Sequence, residues 1–157
     1  MDEEAFWAII SRADSASGLH AELAKLPDDQ LLSFERLHAR CMHRAYTWDL
    51  WGAAYVINGG CSDDTFEYFR AALISLGRDV YERALENPDS LAEVDLQDEE
   101  EWEDWMSPTM QVIHARTGNY GFAGPPEGPA PSQPTGSEWA DEDLPARFPR
   151  ISAKYGT

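Results

Sequence analysis

The sequence predicts an all-α protein: a single compact orthogonal helical domain of about six or seven helices, with a Gly/Pro-rich loop and a docked C-terminal segment. Three observations lead there. Apolar residues recur at helical spacing from Glu3 to Glu86, and helix start and stop signals bracket the successive stretches. No run alternates apolar and polar residues as a half-buried strand would. A length of 157 residues suits one domain, and 43% apolar with 11% aromatic residues is enough for a core.

Phe6, Ile9, Ile10 and Ala13 share one face of a first helix, whose opening turn is acidic where the helix macrodipole favours negative charge. A second helix begins near Ser17, carries Leu19, Leu23 and Leu26, and is stopped by Pro27. Asp28 or Asp29 can cap a third, with Leu31, Phe34, Leu37 or His38, Cys41 and Ala45 on its inner side. Thr47 is the candidate cap of a fourth, which aligns Trp48, Trp51, Ala54, Tyr55 and Asn58 on one broad face. Gly59-Gly60 then suits a left-handed ending. Asp64 with Glu67 reads as a variant capping box, Ser62 and Asp63 competing as caps, before a stripe of Phe66, Phe69, Leu73 and Leu76 that Gly77 stops. Arg78 to Glu86 is a further amphipathic stretch closed by Asn87-Pro88, and Ser90 with Glu93 frames a short helical turn. Ser107-Pro108 is a cap and first-turn pair for a last long helix that ends at Arg116-Thr117-Gly118.

The expected organisation is a helical body over residues 1–117, a Gly/Pro-rich loop or linker over 118–137, and a segment over 138–157 that packs back on the body. The middle stretch holds five of the ten prolines and five of the eleven glycines, a composition that forms no regular element. Leu144, Phe148, Ile151 and Tyr155 are the apolar residues through which the last segment docks, so that all three parts make one domain.

Twelve Lys and Arg against 29 Asp and Glu give a net charge of −17. Such a chain repels phosphate backbones and anionic lipid, which argues against nucleic-acid and membrane-surface binding. Two cysteines make no disulfide framework and fit a reducing cytoplasm, the expected location. The opening Met1-Asp2-Glu3-Glu4 is acidic where a signal peptide would be basic, and no apolar run nears the roughly 18 residues of a membrane span. There is no phosphate-binding glycine loop, dinucleotide fingerprint or nucleophile elbow, so no cofactor is expected, and His20 and His114 stand apart from any catalytic pattern.

Two segments carry functional candidates. The first is the corner from Trp48 to Asp64, which joins two helices through a tight turn. Read as a pocket, it takes charge from Asp49, Asp63 and Asp64, walls from Trp48, Trp51 and Tyr55, a polar group from Asn58, and from Cys61 a thiol beside a helix N-terminus, where free N–H groups lower a thiol pKa. Arg70, on the next helix, can pair with Asp49 across the turn. The same residues also serve as plain architecture: aspartate caps, a glycine stop, a small buried cysteine and core aromatics. The second candidate is the run Glu93 to Asp104, eight of whose twelve residues are acidic. Within it Glu99, Glu100, Glu101, Trp102, Glu103 and then Trp105 make a docking strip for a basic partner, aromatics anchoring and carboxylates steering; the alternative is a solvated helix face whose tryptophans point inward. A metal site on His38, Cys41 and Cys61 is a weaker pattern. His38 and Cys41 share a helix face while His43 points elsewhere, and no metal is expected.

The stretch W-D-L-W-G-A-A-Y-V-I-N-G-G-C-S-D-D-T-F-E-Y-F-R from Trp48 to Arg70, followed by L-I-S-L-G-R-D-V-Y-E-R-A-L-E-N-P-D-S-L-A from Leu73, resembles the family known as domain of unknown function 4240. The opening E-E-A-F-W-A-I-I and the closing L-P-A-R-F-P-R-I-S-A-K-Y-G are similar to that family's ends, so the likeness spans essentially the whole chain. It implies a bacterial, largely actinobacterial source. Because relatives sit beside tryptophan-glycine-arginine-type modules in larger regulator-like proteins, it also implies regulation or interaction, by analogy only. No catalytic residue carries over. One departure is Ser152-Ala153, where the family pattern leads one to expect an aromatic, which implies a weaker C-terminal contact here. The resulting expectation is a small protein-binding or regulatory module, a toxin-neutralising partner among the possibilities, that meets another protein through a basic surface. The alternative is an enzyme or ligand-binding protein that uses the Trp48–Asp64 corner. Oligomeric state is open.

Overall fold

A computed structural model describes residues 1–96, 99–120 and 130–156. Among them are ten α-helices: α1 (Glu3–Arg12), α2 (Ala16–Ala24), α3 (Asp28–Arg44), α4 (Trp48–Asn58), α5 (Asp63–Ser75), α6 (Arg78–Glu86), α7 (Glu99–Asp104), α8 (Pro108–Thr117), α9 (Leu144–Arg147) and α10 (Pro149–Tyr155). Two 3₁₀ turns, Pro88–Glu93 and Asp141–Asp143, complete the set. The all-α expectation holds. The helices outnumber the six or seven expected because the acidic run contains α7 and the C-terminal segment folds into three short pieces whose helical periodicity is too brief to read. The β-pairing among the described residues is one isolated parallel bridge between Thr47 and Thr135. No helix among the described residues is long and apolar enough to cross a membrane.

Several caps differ from the sequence expectation. The second helix, expected to begin near Ser17, begins at Ala16 and is capped by Ser15, which accepts from the Gly18 N–H. Neither Asp28 nor Asp29 caps α3; Pro27 holds that position and both aspartates lie in the first turn. Ser62 caps α5 by accepting from the Thr65 N–H, so Asp63 and Asp64 fall inside the helix. Asn87, rather than Ser90, caps the 3₁₀ turn. Ser107 precedes α8 as expected but sits in the left-handed region (φ 49°, ψ 50°) and makes no side-chain cap. Thr47 and Gly59 behave as their residue types require: the Thr47 hydroxyl accepts from the Leu50 N–H, and Gly59 takes φ 71°.

The core is built round α4 and α5. Phe66, Phe69, Leu73 and Ile74 of α5 are almost wholly buried, as are Leu50, Ala53 and Ala54 of α4. The C-terminal segment closes over α4, with Leu144, Phe148 and Ile151 in the core. Gly52 sets how closely it approaches. A Cβ there would stand 2.8 Å from Phe148 Cε2, 3.0 Å from Trp139 Nε1 and 3.1 Å from Leu144 Cδ2. The Trp139 indole N–H donates to the Trp48 carbonyl at 2.7 Å. The first turn of α10 is held by Asp89, a buried carboxylate that accepts from the backbone N–H groups of Arg150 (3.2 Å) and Ile151 (2.9 Å), a cap supplied from 61 and 62 residues away. Lys154 donates to the Ala92 and Val94 carbonyls, and the Tyr155 hydroxyl donates to Val94 O while accepting from the Leu96 N–H. The C-terminal contact is thus made by Ile151, Lys154 and Tyr155, while the Ser152 hydroxyl oxygen is buried without a hydrogen-bond partner among the described residues.

Two outcomes test this account. Gly52→Ala improves intrinsic helix propensity by about 1 kcal/mol, yet overpacking of this kind costs about 1–3 kcal/mol, so the melting temperature falls. A rise would mean that the C-terminal segment does not seat on Gly52. Asp89→Ala costs about 1–2 kcal/mol, the scale of a lost N-cap, and speeds amide exchange at Arg150 and Ile151 before the rest of the core. Unchanged exchange there would show that the carboxylate is not the cap.

Candidate functional site

From Trp48 to Phe69 the corner between α4 and α5 is filled by stacked aromatics, while Tyr55, Val56 and Gly59 border a cavity of about 260 Å³ whose other wall is Asp141, Leu144 and Pro145. Trp48 stacks on Trp51 at 5.3 Å and 6°, Trp51 on Phe66 at 5.2 Å and 12°, and Phe66 on Phe69 at 6.2 Å. The Trp51 indole N–H donates to the Cys61 carbonyl at 2.9 Å, which ties the turn to the helix before it. Tyr55 donates to Asp141 at 3.3 Å, and the Asn58 amide donates to Gly60 O and to Glu99, each at 2.9 Å. Asp64 is exposed in the first turn of α5. The corner's aromatics thus pack against one another, and its polar groups fasten α4 to α7 and to the C-terminal segment.

Two expectations at this corner are corrected. Asp49 does not pair with Arg70; it faces the C-terminal segment and pairs with Arg147 at 3.3 Å. Arg70 turns instead to the end of α3. Its Nη1 donates to Met42 O at 2.9 Å and its Nε to Phe66 O at 3.4 Å, while the guanidinium carbon lies 4.5 Å from the Tyr46 ring centre and 4.8 Å from that of Phe66. Nor is Cys61 an activated thiol. Burial, then the charges of Glu99 and Asp63, push it up to about 12, so the helix N-terminus is outweighed and the sulfur stays protonated.

The metal pattern does not assemble either. Cys41 lies on the α1 and α6 side, where the Tyr81 hydroxyl donates to its carbonyl at 2.7 Å and burial pushes its thiol up to about 11. His38 and His43 border a different cavity, one that Cys41 does not line. No group of three His, Cys, Asp or Glu among the described residues is placed to hold a metal ion.

The acidic strip divides by contact. Trp102 is core, 2% exposed and edge-on to Phe69 at 5.2 Å, so it anchors α7 to α5 rather than a partner. Glu99 accepts from Asn58 and from the Thr65 hydroxyl, which makes it a fastener as well. Glu100, Glu101 and Glu103 are exposed and Trp105 is half-buried. Glu101 and Trp105 flank a groove of about 500 Å³ between α5, α7 and the α1–α2 turn. Ala72, Leu96 and Trp102 form its floor, Leu76 (38% exposed) and Trp105 its sides, and Asp14, Asp95 and Glu101 its rim. Asp14 escapes a reading of the sequence because it is an isolated carboxylate in a turn, and Asp95 belongs to the acidic run but lies outside the strip drawn from Glu99 to Trp105. Leu76 was legible as part of the α5 stripe, but its exposure was not.

A second cavity, of about 300 Å³, opens where α3, the start of α5 and the α7–α8 turn meet; it is bordered by Glu35, His38, Tyr46, Asp63, Glu67 and Arg70 among others. The Tyr46 hydroxyl donates to Asp63 at 3.1 Å, and the Thr109 hydroxyl donates to Glu35. Burial raises Glu35 above the usual carboxylate range and drives His38 down to about 4, leaving the imidazole neutral. The spacing of Glu35 and His38, three residues apart on one helix, was the available signal for this cavity, and only the arrival of α5 and α8 gives it meaning.

The comparisons fit this picture of a fold without an assigned site. Residues 1–116 match the model of the family described as protein of unknown function (DUF4240), and the chain belongs to that family. The match ends within α8, so the likeness inferred for the closing segment lies outside it. No curated protein and no solved structure matches the chain.

His38 generates a prediction. In the unfolded chain it titrates near 6.5 and in the folded protein near 4, so between these values the unfolded state binds the extra proton. Stability is full above pH 6.5 and falls by about 3 kcal/mol as the pH drops to 4, with Glu35, whose raised carboxyl favours the folded state in acid, working against part of that loss. Denaturant melts from pH 4 to 7 should show this slope, and His38→Gln should remove most of it. A slope unchanged in the variant would place the titrating group elsewhere.

Proposed function

We propose that this protein is a binding module for another protein, and that the groove between α5, α7 and the α1–α2 turn receives a basic segment of that partner. The observation that supports the reading is the groove's composition: an apolar floor and sides, a rim of Asp14, Asp95 and Glu101, and no Lys or Arg among its lining residues. An apolar side chain of the partner would sit between Leu76 and Trp105 while its Lys or Arg side chains meet the rim, the usual division between a desolvated anchor and a charged edge. The net charge of −17 would speed encounter with a basic surface. A regulatory or toxin-neutralising role follows naturally if the basic surface so covered is the one the partner needs for its own anionic target. We place the protein in the cytoplasm, which suits its free Cys41 and Cys61.

The test uses synthetic nonapeptides with a central Leu or Phe flanked by Lys and Arg, against matched peptides in which Glu replaces the basic residues. Calorimetry should detect binding of the basic set only. Asp14→Asn, Asp95→Asn and Glu101→Gln combined should raise Kd about tenfold, since three exposed pairs contribute about 0.5 kcal/mol each. Trp105→Ala should weaken binding further, and Glu103→Gln, off the groove, should matter little. Equal binding of both peptide sets, or indifference to the triple substitution, would overturn the reading.

A further inference from the structure

The cavity beside α3 points to a ligand of a different kind, independent of the groove. His38 is 7% exposed, stacks on the Phe34 ring at 6.1 Å and 22°, and has no hydrogen bond to any described residue. A neutral imidazole carries one donor and one acceptor, and no described residue engages either. The cavity His38 borders is where partners for them can arrive. Glu35, one helical turn away, has its carboxyl mostly withdrawn from water; among the described residues it takes one hydrogen bond, from Thr109, which leaves acceptor capacity for a second group.

Charge selects the ligand class. Among the described residues Arg70 is the one guanidinium bordering the cavity; its N–H groups are met by the carbonyl oxygens of Met42 and Phe66 and its faces by Tyr46 and Phe66, and its charge also acts on Glu67 and Asp63. Asp63 and Glu67, four residues apart on α5 and therefore on one face, are exposed at the mouth. Among the described residues three carboxyl groups thus outnumber one guanidinium, in a protein of net charge −17, and the cavity attracts positive charge. Its volume of about 300 Å³ is at the lower end of those that hold small molecules.

We propose that this cavity binds a small organic cation of the diamine or amino-alcohol class, its ammonium group at Asp63 and Glu67 and its second polar end hydrogen-bonded to His38 and Glu35. The three N–H groups of an ammonium suit the two mouth carboxylates, and an amine or hydroxyl at the inner end supplies what the imidazole lacks. A dicarboxylate of similar length would meet Asp63 and Glu67 with like charge.

The experiment titrates the full chain with 1,4-diaminobutane, 4-aminobutan-1-ol and succinate, read by calorimetry and by the imidazole resonances of His38. The two amines should bind saturably and shift the His38 signals, and succinate should do neither. Asp63→Asn with Glu67→Gln, both exposed and so compatible with the fold, should weaken amine binding at least tenfold. His38→Gln, which keeps hydrogen-bonding capacity, should weaken it less than His38→Phe, and circular dichroism reports whether each variant folds. Absence of saturable amine binding would overturn the proposal. So would amine binding that ignores the α5 double substitution, or succinate binding as tight as the amines, which would assign the cavity to Arg70 and an anion.

Discussion

The interaction on which the architecture rests is the burial of Arg70. A guanidinium withdrawn from water is costly unless its charge and its N–H groups are met, and in so acidic a protein a carboxylate would be the obvious partner. None is used within ion-pair distance among the described residues. The last turn of α3, where the macrodipole is negative and carbonyls lack helical donors, accepts the charge through Met42 O, and Tyr46 and Phe66 cover the planar faces. One side chain thereby ends α3, joins it to α5 and fixes Tyr46. Tyr46 in turn bonds Asp63 through its hydroxyl and Thr135 through its backbone carbonyl, beside the pairing of the Trp48 N–H with Thr135 O. The entry to α4 and the return of the chain toward the C-terminal segment both follow from where α3 stops.

The C-terminal segment is a second consequence of close approach. Gly52 removes the side chain that would hold Phe148, Leu144 and Trp139 away from α4, and Asp89 supplies the carboxylate that the first turn of α10 lacks in its own sequence. The segment lies beyond the family match, which ends at residue 116, yet Phe148 and Ile151 are as deeply buried as the core inside that match. Both contacts act through residues whose roles are invisible locally. Gly52 reads as a weak point in a helix, and Asp89 reads as a turn aspartate.

The carboxylates show how far a charge count can mislead about function. Asp2 and Asp89 serve as caps, Glu99 fastens α7 to the α4–α5 turn, and Glu22, Glu82 and Glu93 pair with basic residues. Instead of a uniform acidic strip, carboxylates border several separate cavities, among them one with apolar sides and one with a buried imidazole. The strip read from Glu99 to Trp105 mixed both kinds, since Trp102 and Glu99 maintain the fold while Glu101 and Trp105 face the groove. The corner read from Trp48 to Asp64 likewise combined a packed aromatic stack with Asp63, the one of its aspartates that borders a cavity.

The sequence by itself determined the class of fold and most helix bounds, because periodicity, Thr47, Gly59 and the proline and glycine stops act within a few residues of where they stand. Only the tertiary structure decided which polar groups meet. Arg70 had several carboxylates within sequence reach and took the end of α3, because helix packing, not sequence distance, sets what lies beside a side chain at the turn of a helix. The same holds for His38, Glu35, Asp14 and Asp95. Each is an ordinary residue in its own segment, and each becomes part of a cavity through the arrival of helices whose positions depend on contacts distant in sequence, such as Glu35 with Thr109, 74 residues on, and Trp48 with Trp139, 91 residues on.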